Sequence, residues 1–179
     1  MLRLSIPDPS LVLLIGPSGA GKSTFASRHF GPTEIISSDR CRALITDDES
    51  DQSVSGEAFS ILRHIARERL RRGRLTVIDA TSLQYRSRRP LLRMARSVQV
   101  PIVAIIFNLG RDSYFSNNLA RIDRPIPAAI LEKQLEEFET ARARLAREGY
   151  LNIYEVDTAG LSEAVVERTR HSSESLSTA

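Results

Sequence analysis

Lysine is scarce in this chain: of 25 basic residues, only Lys22 and Lys133 are not arginine. Lys22 sits in GPSGAGKS, Gly16 to Ser23, a G-x-x-x-x-G-K-S pattern. Glycines let a backbone wrap a polyphosphate with its N–H groups, and a helix beginning there points its positive end at the anion. Lys22 would reach the β- and γ-phosphates as a compact charge and Ser23 would ligate Mg²⁺, with Gly16, Pro17, Ser18, Gly19, Ala20, Gly21 and Thr24 lining the same polyphosphate. A planar guanidinium fits so narrow a loop poorly, a reason for lysine in an arginine-rich chain. These residues point to ATP and Mg²⁺ as cofactors.

Two acids complete the chemistry. Asp79 ends LTVID, and an acid there would hold the Mg²⁺ shell through water, because Mg²⁺ takes few carboxylates; the lesser alternative is a cap of the next helix, and the two roles could coexist. Asp39, in ISSDRCR, would aim an attacking hydroxyl at the γ-phosphate and take its proton late. Arg42, three residues on, could clamp an acceptor phosphate. The bland alternative makes Asp39 an N-cap. Cys41 is read as packing.

Such groups need a frame. Strand-like runs lie at 11–15, 34–37, 75–79, 101–107 and 152–156. Most are continuously apolar, as strands covered on both faces are. Helical patterns at 57–72, 87–97, 112–122 and 128–148 separate them, and a short helix is expected near 161–170. Alternation of this kind predicts an α/β, P-loop NTPase-type fold: a five-stranded parallel sheet with helices on both faces and ligands at the carboxyl ends of the strands. The segment NLARIDRPIP, where two prolines stop a helix, reads as an arginine-bearing lid. Residues 1–170 form the expected domain, and 171–179, small and polar, a disordered tail or the start of a linker.

Composition narrows the classes. With 41% hydrophobic and 26% charged residues and a net charge of +3, the 179-residue chain has a globular profile. No apolar run approaches a membrane helix, and the first residues lack a signal-peptide core. One cysteine makes no internal disulfide, which fits a cytoplasmic location. A GTPase would carry N-K-x-D, which is absent. Aromatic residues are few, so a broad base-stacking platform is not expected.

The stretches IGPSGAGKSTFASRHF, ISSDRCRALITDDESDQSVSGEAF, LTVIDATS and RIDRP resemble the N-terminal 5′-OH polynucleotide kinase module of bacterial polynucleotide kinase-phosphatases, over about residues 4–166. The resemblance implies ATP-dependent phosphorylation of a 5′-OH nucleic-acid end, in RNA or DNA, with phosphatase or ligase modules of RNA repair as partners in cis or trans. It implies Asp39 as general base, Arg42 as a substrate-contacting arginine, Arg121 as a lid arginine on the donor phosphates and Arg88, the arginine downstream of the DxTN-type motif, as a further substrate residue. Two positions depart from the pattern. Asn117 stands where the lid often has a second arginine, so either the clamp is weaker or Arg124 or Arg111 supplies that charge; Asn117→Arg is expected to raise the rate in the first case and to change nothing in the second. Ser82 stands where the family has Asn. A small-metabolite kinase, or a nucleotide-binding module without transfer, remains the alternative.

Overall fold

The computed structural model describes residues 2–120 and 125–170. From the N-terminus the chain forms β1 (Arg3–Asp8), β2 (Leu11–Ile15), α1 (Lys22–His29), β3 (Ile35–Ser37) and α2 (Ser38–Thr46). A 3-10 turn at Gln52–Val54 leads into α3 (Ser55–Arg71), β4 (Thr76–Asp79), α4 (Tyr85–Ser97) and β5 (Ile102–Phe107). Then come α5 (Arg111–Leu119), α6 (Ala128–Leu145), β6 (Asn152–Val156), α7 (Gly160–Glu163) and β7 (Val165–Arg170).

The five expected strands build one parallel sheet in the order β3-β4-β2-β5-β6. Every residue of β2, β4 and β5 is buried, which is why β2 and β5 are continuously apolar, while β4 sets Val77 and Ile78 between Thr76 and Asp79. Successive side chains of β2 serve opposite faces. Leu11, Leu13 and Ile15 pack with Leu62 and Ala66 of α3 and Leu91 and Leu92 of α4. Val12 and Leu14 pack with Phe25 and Ala26 of α1 and with Leu4 and Ile6 of β1. Helix α6 serves both cores, through Phe138 and Leu145 on one side and Leu131 on the other.

Strand order sets the site. β4 and β3 lie to one side of β2, and β5 and β6 to the other, so the order reverses at β2 and opens a crevice at its carboxyl end. Ser37 pairs in register with Asp79, so β3 and β4 deliver their last residues to the same edge. Gly16 N–H donates to the Thr81 carbonyl at 3.1 Å, tying the loop after β2 to the loop after β4.

The end of the chain departs from expectation. In place of a helix over 161–170, α7 is a single turn, and β7 pairs in parallel with β1, Arg3 opposite Val165 and Asp8 opposite Arg170. Only Val165 and Val166 of VVERTR are apolar, so β7 carries no period-2 signal of its own. Its strand state comes from a partner far away in sequence, helped by Arg3–Glu167 at 2.9 Å and Arg168–Glu34 at 2.6 Å. Among the described residues no helix is long and apolar enough to cross a membrane.

Candidate active site

The loop after β2 has the backbone its glycines allow. Gly19 (φ +80°) and Gly21 (φ +77°) are left-handed, a region other residues enter at a cost. A Cβ at Gly16 would stand 3.1 Å from the Phe107 Cβ, so glycine lets the loop lie against the end of β5. Helix α1 starts at Lys22 with no side-chain cap and no acid in its first turn, so its positive end faces the loop uncompensated. The buried Lys22 ammonium donates to the carbonyls of Gly16 at 2.9 Å and Pro17 at 2.6 Å.

Asp79, the buried last residue of β4, is hydrogen-bonded to the Ser23 side chain. Burial pushes its carboxyl up; the Ser23 bond and the Lys22 charge oppose this, and the nearby Asp39 charge adds to it. Helix α4 begins only at Tyr85 with Gln84 at its N-cap, so Asp79 is not the cap of that helix. A hydroxyl and a carboxylate in contact are hard oxygen donors that fit Mg²⁺. Among the described residues no group of three or more His, Cys, Asp and Glu gathers to hold a metal alone. An ion here would therefore be held by Ser23 and Asp79 together with its own waters and nucleotide oxygens.

Asp39 lies in the first turn of α2, and the N-cap is Ser37, whose hydroxyl accepts from the Arg40 amide at 3.4 Å. The capping alternative for Asp39 is thereby removed. Its Oδ1 accepts from the Ser38 hydroxyl at 3.2 Å and from the Arg42 guanidinium. The Arg42 side chain is only 8% exposed, against 40% for Asp39, and its Nε donates to the Glu49 carbonyl at 2.8 Å. In this arrangement Arg42 braces Asp39 and ties α2 to the acidic loop that follows.

Arg88 corrects the sequence expectation more strongly. It is 1% exposed and does not face a substrate surface. Its guanidinium pairs with Glu148 and donates to the carbonyls of Ser82 at 2.8 Å and Leu83 at 2.7 Å. It thus clamps the loop after β4 to the turn before β6. Ser82 in that loop has φ 51°, a left-handed conformation that Asn adopts more readily than Ser. Arg88→Ala would leave Glu148 buried without its partner and is expected to cost about 3–5 kcal/mol of stability. Urea denaturation checks this, and replacing Arg88 and Glu148 together by apolar residues should recover part of the loss.

Two more side chains complete the site: Gln134, which the sequence reading did not place there, and Asn117, which it placed only as a lid position lacking an arginine. Asn117 Nδ2 donates to the Gly19 carbonyl at 2.9 Å, and Gln134 Oε1 accepts from the Ser18 amide at 2.7 Å. Asn117 is therefore not a vacant arginine position, and Asn117→Arg is expected to break the Gly19 bond, contrary to the gain expected above. Arg111 pairs with Glu132 and lies over the Phe115 ring at 5.3 Å. Arg121 and Arg124, the arginines expected in a lid, lie outside the described residues.

A family model described as an AAA domain matches residues 11–145, most of the chain. The chain belongs to this AAA domain family. Its fold is that of P-loop kinase-like proteins. A kinase-like protein of Chloroflexus aurantiacus J-10-fl is 20% identical, with TM-score 0.62 over 85% of this chain and 86% of that one. A chain of the Pnkp1/Rnl/Hen1 RNA repair complex is 20% identical, with TM-score 0.67 over 78% of this chain and 47% of its own length. A gluconokinase from Sinorhizobium meliloti 1021 is 19% identical, with TM-score 0.54 over 86% and 85%. At these identities the likeness concerns the fold. No curated protein matches the chain in sequence.

Within this AAA domain, Lys22, Ser23, Asp79 and Asp39 converge at one edge of the sheet, while Arg88 lies away from it as a clamp. Gln134 gave no sequence signal, since it is one polar residue on an amphipathic helix. The Ser37 cap was legible in principle, as a serine between a strand and a helix.

Proposed function

We propose that this AAA domain is an ATP- and Mg²⁺-dependent kinase of polynucleotide 5′-hydroxyl ends. The observation that carries the reading is the placement of Asp39. The Ser37–Asp79 register sets it at the edge where Asp79 meets Ser23, and its charge is felt at Asp79. A carboxylate there is placed to orient a hydroxyl toward a nucleotide held by Gly16–Thr24. The acceptor oxygen attacks the γ-phosphorus, the bond to the β–γ bridging oxygen breaks, and the hydroxyl proton passes to Asp39 as ADP leaves. Lys22 neutralises charge on the phosphoryl oxygens, and bound Mg²⁺ would add to that neutralisation. The sequence resemblance and the fold likeness to a chain of an RNA repair complex support the polynucleotide acceptor. Phosphatase and ligase modules would be its partners.

The second reading is a small-metabolite kinase, and a specific observation favours it. Arg42 is buried and engaged by Asp39 and Glu49, so its guanidinium is not presented as a phosphate clamp. Incubation with γ-labelled ATP, Mg²⁺ and 5′-OH oligonucleotides, RNA and DNA in parallel with free polyols and sugar acids, separates the two. Label on an oligonucleotide is the expected result. Label on a free metabolite alone establishes the second reading and removes the first.

A further inference from the structure

The side chains of Asn117 on α5 and Gln134 on α6 reach the tip of the phosphate loop from outside, and they grip two different peptide groups. Gln134 accepts the N–H of the Pro17–Ser18 peptide at 2.7 Å. Asn117 donates to the carbonyl of the Gly19–Ala20 peptide at 2.9 Å. In a trans peptide the N–H and the C=O point to opposite sides of the chain. Pulling the Ser18 N–H outward therefore turns the Pro17 carbonyl inward. Pulling the Gly19 carbonyl outward turns the Ala20 N–H inward.

The inward groups are found where this geometry requires. The Pro17 carbonyl accepts from Lys22 Nζ at 2.6 Å and from the Ala20 N–H at 3.3 Å. One carbonyl thus joins the two clamped peptides and the lysine. Contact between α5 and the loop is also direct: a Cβ on Gly19 would stand 3.2 Å from the Tyr114 carbonyl and 3.4 Å from the Asn118 amide. The two helices are themselves linked by Arg111 and Glu132, and the Asn118 side chain exchanges hydrogen bonds with the Ile126 backbone, 2.8 Å from Nδ2 to the carbonyl and 3.0 Å from the amide to Oδ1.

We infer that Gln134 and Asn117 are positioning residues that fix the two outer peptides of the phosphate loop, and through the Pro17 carbonyl fix the seat of Lys22. The inference rests on the nucleotide-binding part of the function proposed above. Neither side chain has to touch the nucleotide. Loss of either lets a peptide turn and disorders the N–H array that receives the phosphates. Because the grip is on the outer side of the loop, its loss weakens a diphosphate and a triphosphate alike.

Two measurements on the full chain test this. The first is amide hydrogen exchange at Ser18 in the nucleotide-free protein, followed by NMR. In wild type and in Gln134→Glu, which keeps an acceptor oxygen, Ser18 is expected to be protected. In Gln134→Ala its exchange should rise at least tenfold, the order of one lost hydrogen bond. The second is the calorimetric Kd of Mg·ATP and Mg·ADP. Gln134→Ala and Asn117→Ala are each expected to weaken both nucleotides about tenfold. Thermal melts of each variant check that the fold is intact. Unchanged Ser18 exchange in Gln134→Ala overturns the inference, and so does a loss confined to ATP, which would mean direct contact with the γ-phosphate. If wild type binds neither nucleotide, the nucleotide-binding reading itself fails, and Ser18 exchange alone then decides whether the clamp exists.

Discussion

Asp39→Asn is expected to lower the rate of phosphoryl transfer by about 10²–10⁴-fold, the range over which a positioned acid or base acts. Affinity for Mg·ATP should stay within about threefold, because the role proposed for the residue is toward the acceptor and the grip on the phosphates is assigned to other groups. Asparagine keeps the size of the side chain and an acceptor oxygen for the Ser38 hydroxyl, but it removes the charge that pairs with Arg42. Arg42→Met is the control, since it breaks the same ion pair and leaves the carboxylate. If Asp39→Asn acts only through that pair, both variants lose rate equally. If the carboxylate aims the hydroxyl, Arg42→Met loses far less. Single-turnover assays with a 5′-OH oligonucleotide decide between these, and transfer by Asp39→Asn within threefold of wild type would end the assignment.

Lys22→Ala should cost about 10²–10³-fold in transfer, as loss of one group that stabilises developing charge does, and nucleotide affinity should fall with it. The sharper experiment is Lys22→Arg. The ammonium occupies a buried position between two loop carbonyls, 2.9 Å and 2.6 Å away. A guanidinium is larger and planar, so arginine should keep the charge and still fail to restore transfer. Rescue by Lys22→Arg to within tenfold of wild type would show that charge alone suffices there.

The sheet was legible because β2 and β5 are buried on both faces and apolar without interruption, and β4 carries Val77 and Ile78 at its centre. The phosphate loop was legible because its geometry demands glycine at fixed places, as at Gly19 and Gly21. Asp39 and Asp79 were legible by position, each near the end of a strand. Arg88 was not, because nothing local distinguishes a buried clamp from a surface arginine; its partner Glu148 is distant in sequence and the pair forms only in the folded chain. Gln134, and the contact that Asn117 makes with the loop, escaped for the same reason, since the partners are backbone groups of a loop far upstream. The β1–β7 ribbon was hidden because its second strand is mostly exposed and polar, with its state set by a partner at the other end of the chain.

That ribbon governs how the molecule can be handled. Its strands run in parallel, so the first and last described stretches enter and leave at opposite ends. Arg3 pairs with Val165, close to α7, whose Leu161 side chain packs 3.3 Å from a Cβ built on Gly21. Arg170 pairs with Asp8, just before β2 begins at Leu11, and the phosphate loop lies beyond the other end of β2, about 16 Å away at the rise of an extended strand. A fluorophore or affinity tag joined before Arg3 would sit on the rim of the nucleotide crevice. One joined after Arg170 would leave from the underside. Attachment at the Arg170 end would keep a label away from the crevice, and attachment at the Arg3 end would keep it beside the crevice.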